Sequence, residues 1–172
     1  MKFDKLYLVG FMGAGKSSVA RALGHRLGWR SEDIDERIEA RERRTVAAIF
    51  AQQGEPQFRQ LERQVLSELL PQRNIVVATG GGTFVEADNR ALMLADGAVA
   101  WLDAPLLELL DRVPADGRRP LAADRTQMER LFAFREAAYA HAHLRIEARG
   151  LVAGAVVERI MDGLKQMERH AL

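Results

Sequence analysis

Near its N-terminus the chain reads Lys5-Leu-Tyr-Leu-Val9, followed at once by Gly10-Phe-Met-Gly-Ala-Gly-Lys16-Ser17. The first run is β-prone, and the second matches the phosphate-loop pattern G-x-x-x-x-G-K-S/T. Residues 15–27 then carry an apolar stripe with helical spacing. A strand, a glycine loop and a helix in this order open an α/β unit, the context in which the pattern binds phosphate. A glycine turn that binds nothing is the weaker alternative.

The chemistry of this loop predicts a nucleotide site. Its glycines let successive N–H groups turn toward phosphate oxygens, and the helix N-terminus adds positive potential. Lys16 is expected to bridge the β- and γ-phosphates, and the Ser17 hydroxyl to ligate Mg²⁺. ATP and Mg²⁺ are therefore the predicted cofactors, although the loop alone leaves kinases, GTPases and ATPase motors open. The predicted nucleotide-binding residues of the loop are Gly13, Ala14, Gly15, Lys16, Ser17 and Ser18.

Composition bounds the remaining function classes. The chain has 172 residues, the length of one domain (1–172), with 48% hydrophobic and 28% charged residues and a formal net charge of +1. This balance favours no nucleic-acid partner. Because there is no cysteine, neither a disulfide nor a thiolate metal site is expected. No apolar run approaches the ~20 residues of a membrane span, and no export signal is visible, so we expect a cytoplasmic protein.

Further short apolar runs predict the rest of the sheet. Strand candidates are residues 75–78, 98–102 and 144–146, with 29–34 a weaker one because only Trp29 and Ile34 are large and apolar. Helical periodicity separates these runs, which favours a mainly parallel sheet covered on both faces. Residues 113–125 combine proline, glycine and charge with almost nothing to bury, and this predicts a mobile lid.

One helix between these strands has a clear apolar face. Phe58, Leu61, Val65 and Leu69 lie at helical spacing and predict the buried stripe. Arg59 and Glu62 are predicted to lie off that stripe.

A pair of carboxylates follows the weak second strand. Alternation along an extended chain predicts that Asp33 and Asp35 point to the same side, facing the phosphate loop. One could hold a water of the Mg²⁺ shell or accept a hydroxyl proton, and the other could bind hydroxyls of an acceptor. The competing interpretation is that either carboxylate simply caps the helix predicted over 36–43.

Three glycines and three arginines complete the predicted acceptor site. Gly80-Gly81-Gly82 directly follows the strand 75–78, where glycine is costly unless a ligand approaches the main chain. Arginines stand on three separate segments, and guanidinium groups suit carboxylates and phosphates. Any single arginine could equally lie on the solvated surface. The three are Arg59, Arg119 and Arg135.

These motifs resemble the shikimate kinases over nearly the whole chain. The resemblance rests on the phosphate loop and on five further motifs in the family's order and spacing. They are Asp33-x-Asp35-x-x-Ile38-Glu39, Ile49-Phe50 with Gly54-Glu55-x-x-Phe58-Arg59-x-x-Glu62, Ala78-Thr79-Gly80-Gly81-Gly82, Arg119-Pro120-Leu121, and Arg135-x-x-x-Tyr139.

The resemblance implies phosphorylation of the 3-hydroxyl of shikimate by a monomeric P-loop kinase. The implied fold is a three-layer α/β structure with a five-stranded parallel sheet of order 2-3-1-4-5. Asp33 would lie by the metal and the attacking hydroxyl, Arg119 would close on the transferring phosphate, and Arg112 would lie near adenine. The implied acceptor segment spans about 33–61. The implied shikimate-binding residues are Asp35, Arg59, Gly80, Gly81, Gly82 and Arg135.

The sequence departs from the family pattern at several positions, and none of these departures removes a residue with a named chemical role. They are Ser18, Ile34, Ala122, Ala137, Ala138 and His141. A paralogue acting on another small polyol acid such as gluconate, a nucleoside-monophosphate-type kinase and a non-catalytic ATP-binding switch are the alternatives.

Overall fold

The computed structural model describes residues 3–113 and 124–170, and these form five strands and seven helices. In chain order the elements are β1 (Lys5–Val9), α1 (Lys16–Leu27), β2 (Arg30–Asp33), α2 (Ile34–Glu42), α3 (Val46–Leu69), β3 (Ile75–Ala78), α4 (Ala87–Asp96), β4 (Ala98–Asp103), α5 (Leu106–Arg112), α6 (Arg125–Tyr139), β5 (Leu144–Glu147) and α7 (Ala153–His170). The predicted lid, residues 113–125, lies almost entirely outside the described residues. Arg119 is one of the residues that are not described.

The sheet has the predicted topology. All four strand pairs are parallel, and the order is β2-β3-β1-β4-β5. In register, Leu8 lies beside Ala78 and Ala78 lies beside Asp33. The carboxyl ends of β1, β2 and β3 therefore lie side by side at one end of the sheet. The segments that follow these strands place the phosphate loop, the two aspartates and the glycine run at that end.

Apolar residues hold the layers together. The residues of β1 and β3 are buried, and β4 is buried from Ala98 to Leu102, which explains why these strands read as continuous apolar runs. Helices cover both faces, and α1 packs against α7 as well as against β2 and β3. Trp101 in β4 is 3% exposed and belongs to the core. In the described part of the chain, no helix is long and apolar enough to cross a membrane.

The apolar stripe of α3 is confirmed, but the place of one charged neighbour was predicted wrongly. Phe58, Leu61, Val65 and Leu69 are all buried. Glu62, predicted to lie off the stripe, is also fully buried. Its carboxylate is compensated by an ion pair to Arg59 and a hydrogen bond from Thr83, the condition under which a charge is tolerated inside a protein.

Candidate active site

The phosphate loop depends on glycines with left-handed backbone angles. Gly13 has φ 80°, and Gly15, the N-cap of α1, has φ 83°. A Cβ atom on Gly13 would lie 2.6 Å from the carbonyl oxygen of Leu109 in α5. Since a side chain would clash there as well as strain the backbone, this position requires glycine. The loop is thereby packed against α5 while its N–H groups stay at the start of α1.

The functional side chains of the loop contact defined partners. The Lys16 ammonium donates hydrogen bonds to the carbonyl oxygens of Gly10 at 2.7 Å and Phe11 at 2.9 Å. The Ser17 hydroxyl donates to one carboxylate oxygen of Asp33. The lysine is thus held over the loop, and the serine and aspartate oxygens lie side by side.

Asp33 caps a helix, as the competing interpretation predicted. Its second carboxylate oxygen accepts a hydrogen bond from the backbone N–H of Glu36 at 3.1 Å, so Asp33 caps α2. Asp35 lies in the first helical turn, because α2 begins at Ile34. The predicted alternation of two carboxylates along an extended chain is therefore wrong. The helix start nevertheless turns both side chains toward one cavity.

That cavity joins most of the predicted nucleotide residues. Ala14 is buried beneath the loop instead of lining the cavity. Arg112, at the end of α5, lines its wall and approaches Glu108 at 3.5 Å. Thr79 also lines it and was not predicted as a site residue; its hydroxyl donates to the Leu8 carbonyl oxygen at 2.9 Å. The lining residues are Gly13, Gly15, Lys16, Ser17, Ser18, Asp33, Asp35, Thr79 and Arg112.

A second cleft unites the six residues that the family resemblance assigns to shikimate binding. It encloses about 420 Å³ of empty space, a volume that includes the open solvent at its mouth. Asp35 lines both this cleft and the phosphate cavity, so the two sites adjoin. The remaining lining residues are Met12, Val46, Phe50, Phe58, Arg59, Glu62, Gly80, Gly81, Gly82 and Arg135.

Two carboxylates hold the first arginine of the cleft. The Arg59 guanidinium lies 2.6 Å from Glu62 and 2.9 Å from Glu55. Burial alone would lower the pKa of Arg59, but the charges and hydrogen bonds of these two glutamates outweigh it and raise the pKa. Glu62 also accepts a hydrogen bond from Thr83 at 2.7 Å. Arg59 is therefore fixed to the segment that follows the glycine run.

The second arginine is buried in a less compensated environment. Arg135 is 4% exposed, and its guanidinium lies 5.8 Å from the centre of the Phe11 ring. Burial lowers the pKa of Arg135, and the nearby charge of Arg59 acts in the same direction. Two cations that share a cleft favour an anionic ligand, because its charge would relieve both their repulsion and their desolvation.

The glycine run admits these charged side chains. A Cβ atom on Gly82 would lie 2.5 Å from both terminal nitrogens of Arg59. One on Gly81 would lie 2.6 Å from Nη1 of Arg135, and one on Gly80 would lie 2.6 Å from Oε1 of Glu62. The sequence suggested that a ligand approaches this main chain. Among the described residues, the close neighbours are protein side chains, and they form the cleft wall.

Sequence reasoning missed the residues that support this wall. Glu62 and Thr83 link α3 to the glycine run, and Tyr139 donates a hydrogen bond to the carbonyl oxygen of Gly81 at 2.5 Å. Asn89 donates to the Thr83 carbonyl oxygen at 3.1 Å. Glu62 and Tyr139 belong to the motifs that carry the family resemblance, which was the available signal. Nothing in the local sequence distinguishes Asn89.

The doubly covered parallel sheet, the phosphate loop and the adjoining cationic cleft define a P-loop phosphotransferase for small molecules. The family model described as shikimate kinase matches residues 12–165. On this evidence the chain belongs to the shikimate kinase family.

Individual relatives agree with that assignment. A shikimate kinase from Persephonella marina is 39% identical over 161 residues, which is 93% of this chain and 98% of that one. The solved structure of shikimate kinase from Acinetobacter baumannii in complex with shikimate matches with a TM-score of 0.92 at 34% identity, covering 96% of this chain and 94% of that one. A gluconokinase from Sinorhizobium meliloti matches with a TM-score of 0.65 at 16% identity, over 98% of this chain and 95% of that one, and shows the fold alone.

Proposed function

We propose that this protein transfers the γ-phosphoryl group of ATP to the 3-hydroxyl of shikimate, giving shikimate 3-phosphate on the route to chorismate and the aromatic amino acids. The observation that carries the proposal is the shared wall at Asp35, where a cleft with two arginines opens beside the phosphate cavity. A small carboxylated polyol held by such a cleft would present a hydroxyl toward the phosphate loop.

We assign the acceptor cleft to shikimate. Arg59 and Arg135 would bind its carboxylate, because guanidinium groups form paired, charge-assisted hydrogen bonds with carboxylates. Asp35 would accept hydrogen bonds from ring hydroxyls. The backbone of Gly80, Gly81 and Gly82 would form the floor. The shikimate kinase from Acinetobacter baumannii, solved in complex with shikimate, supports this assignment.

We assign the phosphate cavity to ATP and Mg²⁺. The adjoining oxygens of Ser17 and Asp33 fit Mg²⁺, which prefers oxygen ligands and keeps several waters. Lys16 would leave the loop carbonyls for the phosphates, and Asp33 would orient the attacking hydroxyl through the metal shell. Positioning and charge neutralisation of this kind account for most of the catalysis in phosphoryl transfer. MgATP supplies the transferred group.

Two further arginines are assigned from the resemblance. Arg112, in the wall of the phosphate cavity, would lie near adenine. Arg119, which is outside the described residues, would neutralise charge on the transferring phosphoryl group. That the enzyme is monomeric, that it is cytoplasmic and that it has no nucleic-acid partner also remain predictions.

An acceptor panel tests the proposal directly. ADP release should be measured with shikimate, quinate, gluconate and nucleoside monophosphates, and with no acceptor. We expect rapid release with shikimate and little with the others. Preference for gluconate would indicate a paralogue with another acceptor. Release without any acceptor, unchanged by shikimate, would indicate an ATP-binding switch and overturn the proposal.

A further inference from the structure

Tyr139 connects α6 to the glycine run across the acceptor cleft. It is the last residue of α6, it is 1% exposed, and its ring lies 5.9 Å from the ring of Trp101 in β4. Its hydroxyl donates to the carbonyl oxygen of Gly81 at 2.5 Å. The side chain is therefore packed on the sheet at its ring and hydrogen-bonded to the cleft floor at its tip.

The hydroxyl remains a donor in the folded protein. Burial raises the pKa of Tyr139 well above its ordinary value, although the nearby positive charge of Arg135 acts in the opposite direction. Because the proton is directed to Gly81, the oxygen lone pairs remain for the guanidinium. Arg135 lies one helical turn before Tyr139, the spacing at which two side chains on a helix meet.

The two cleft arginines are held in different ways. Arg59 is paired with Glu55 and Glu62. Within the described parts of the chain, no carboxylate forms an ion pair with Arg135, and its neighbours include the Phe11 ring and the Tyr139 side chain. A neutral hydroxyl can orient a guanidinium without neutralising it. Arg135 would therefore keep its full charge for a ligand.

Gly81 and Arg135 are also packed directly against each other. The position of a Cβ atom on Gly81 lies only 2.6 Å from Nη1 of Arg135. A shift of this peptide would therefore displace the guanidinium, and the converse also holds. Tyr139 contacts both partners.

We propose that Tyr139 is a positioning residue for the acceptor, holding the Gly81 peptide and the Arg135 guanidinium in the arrangement that binds a carboxylate. The inference rests on the proposed function and adds a residue to it. Tyr139 does not touch the acceptor in this proposal. It acts through Arg135 and the cleft floor.

The test is Tyr139→Phe, which keeps the ring against Trp101 and removes only the hydroxyl. Loss of a hydrogen bond that orients a charged group weakens binding by about tenfold. We expect the KM for shikimate to rise by about this factor, while kcat and the KM for ATP change less than about twofold.

Tyr7→Phe is the matched control. Tyr7 is also fully buried, and its hydroxyl donates to Asp96 at 2.6 Å, outside both cavities. Both variants lose one buried tyrosine hydrogen bond, so both are expected to unfold at a lower temperature. Only Tyr139→Phe should change the shikimate KM. An unchanged KM in that variant, or an equal change in both, would overturn the inference.

Hydrogen exchange without ligands separates this inference from the proposed function. In the glycine run, Thr83 N–H donates to the Gly80 carbonyl and Val85 N–H donates to the Gly82 carbonyl. We expect a peptide covering residues 79–85 to exchange faster in Tyr139→Phe, but not in Tyr7→Phe, at a temperature where both are folded. Equal exchange would contradict the role of Tyr139 even if shikimate is the substrate. Faster exchange would uphold that role even if the acceptor panel rejects shikimate.

Discussion

The glycine run shows how single residues shape the acceptor site. At Gly82 the missing Cβ makes room for the whole end of the Arg59 guanidinium. The atoms that a Cβ would meet belong to the tip of a long side chain, not to the backbone. Since Gly82 has no left-handed φ, alanine fits its backbone. A methyl group at this position should therefore displace the arginine and leave the loop in place.

Gly82→Ala tests this reasoning. We expect the KM for shikimate to rise by about tenfold or more, because the guanidinium would leave the position from which it could pair with a carboxylate. The free energy of unfolding should also fall by about 1–3 kcal/mol, because the buried Glu62 carboxylate would lose its ion pair. Steady-state kinetics and urea denaturation measure the two effects. Gly154→Ala is the control, since a Cβ atom there meets nothing within 4 Å. Unchanged shikimate kinetics in Gly82→Ala would contradict an Arg59–carboxylate contact.

Asp33 and Asp35 should respond differently to substitution. Asp33→Asn keeps an oxygen that can cap α2 but removes the charge beside Ser17. We expect kcat to fall by about 100-fold, the range typical of a lost catalytic acid or base, with shikimate affinity within a few-fold. Asp35→Ala should chiefly raise the shikimate KM, because its hydrogen bonds exist in both ground and transition states.

Kinetic constants and direct shikimate binding for both variants decide the question. Normal turnover in Asp33→Asn would show that this carboxylate acts only as a cap. Unchanged binding in Asp35→Ala would place the acceptor elsewhere.

At the residue scale, the sequence predicted which side chains lie together better than how they are held. The six acceptor residues meet in one cleft, as the motifs indicated. The burial of Glu62 was missed because helical periodicity assigns charged residues to the solvent face unless a partner is known. One partner of Glu62 is Thr83, which lies 21 residues away in the sequence. Contacts of this kind depend on the tertiary fold and leave no local pattern.

Among the elements, α3 bends around the acceptor cleft. Gly54 has φ 80° and ψ 169°, which breaks the helix into two segments. Phe50 lies before the break and Phe58 after it, and their ring centres are 4.8 Å apart across the bend. Both rings line the cleft together with Arg59. The bend thus allows one helical region to supply two walls of the site.

Gly54→Ala should impair both stability and acceptor binding. This combination of angles is almost restricted to glycine, so alanine would add strain of about 1–3 kcal/mol. We expect a matching loss in the free energy of unfolding and a higher KM for shikimate, with the KM for ATP little changed. Denaturation and kinetics with each substrate varied in turn would measure these. A variant as stable as the unmodified protein would show that α3 does not require the bend.

Sequence patterns identified every strand, because four are short apolar runs and the edge strand β2 keeps a detectable position. The weak candidate at residues 29–34 became β2, Arg30–Asp33. The strand ends one residue earlier than predicted because Ile34 starts α2 and is fully buried there. The break in α3 was not predicted, since an apolar stripe continues after Gly54. Local patterns thus identify elements more securely than their ends or bends.

On the scale of the whole molecule, the two ends of the strands differ in role: the carboxyl ends carry the candidate site, and the amino ends carry a structural cluster. The cavities lie at the carboxyl ends of the strands, the common position of ligand sites in open parallel sheets. At the opposite end, the fully buried Lys5 donates hydrogen bonds to the carbonyl oxygens of Leu69 and Leu70 and to Asp96 at 2.6 Å. One side chain thus joins β1 to the ends of α3 and α4.

The ammonium of Lys5 is the buried cation of this cluster, and it pairs with the Asp96 carboxylate. Asp96 also accepts hydrogen bonds from Tyr7 and Arg73, and these interactions hold the pKa of its carboxyl below the ordinary value although burial acts against them. Burial lowers the pKa of Lys5, while Asp96 favours its charged form. The cluster therefore depends on charge pairing inside the protein, and loss of one partner should be costly.

Lys5→Met tests whether the two ends of the sheet act independently. Methionine fills a similar volume but removes three hydrogen bonds and the cation that pairs with Asp96, so we expect the free energy of unfolding to fall by about 3 kcal/mol. Because the substitution lies at the far end of β1, kcat and both KM values should stay within about twofold at a temperature where the variant is folded. Chemical denaturation and steady-state kinetics at 15 °C and 25 °C would test this. Gly82→Ala should differ from Lys5→Met in its kinetics, with a raised KM for shikimate. If Lys5→Met weakens shikimate binding at the lower temperature, the amino end of the sheet must be coupled to the cleft, since α3 carries both the Leu69 carbonyl and Arg59.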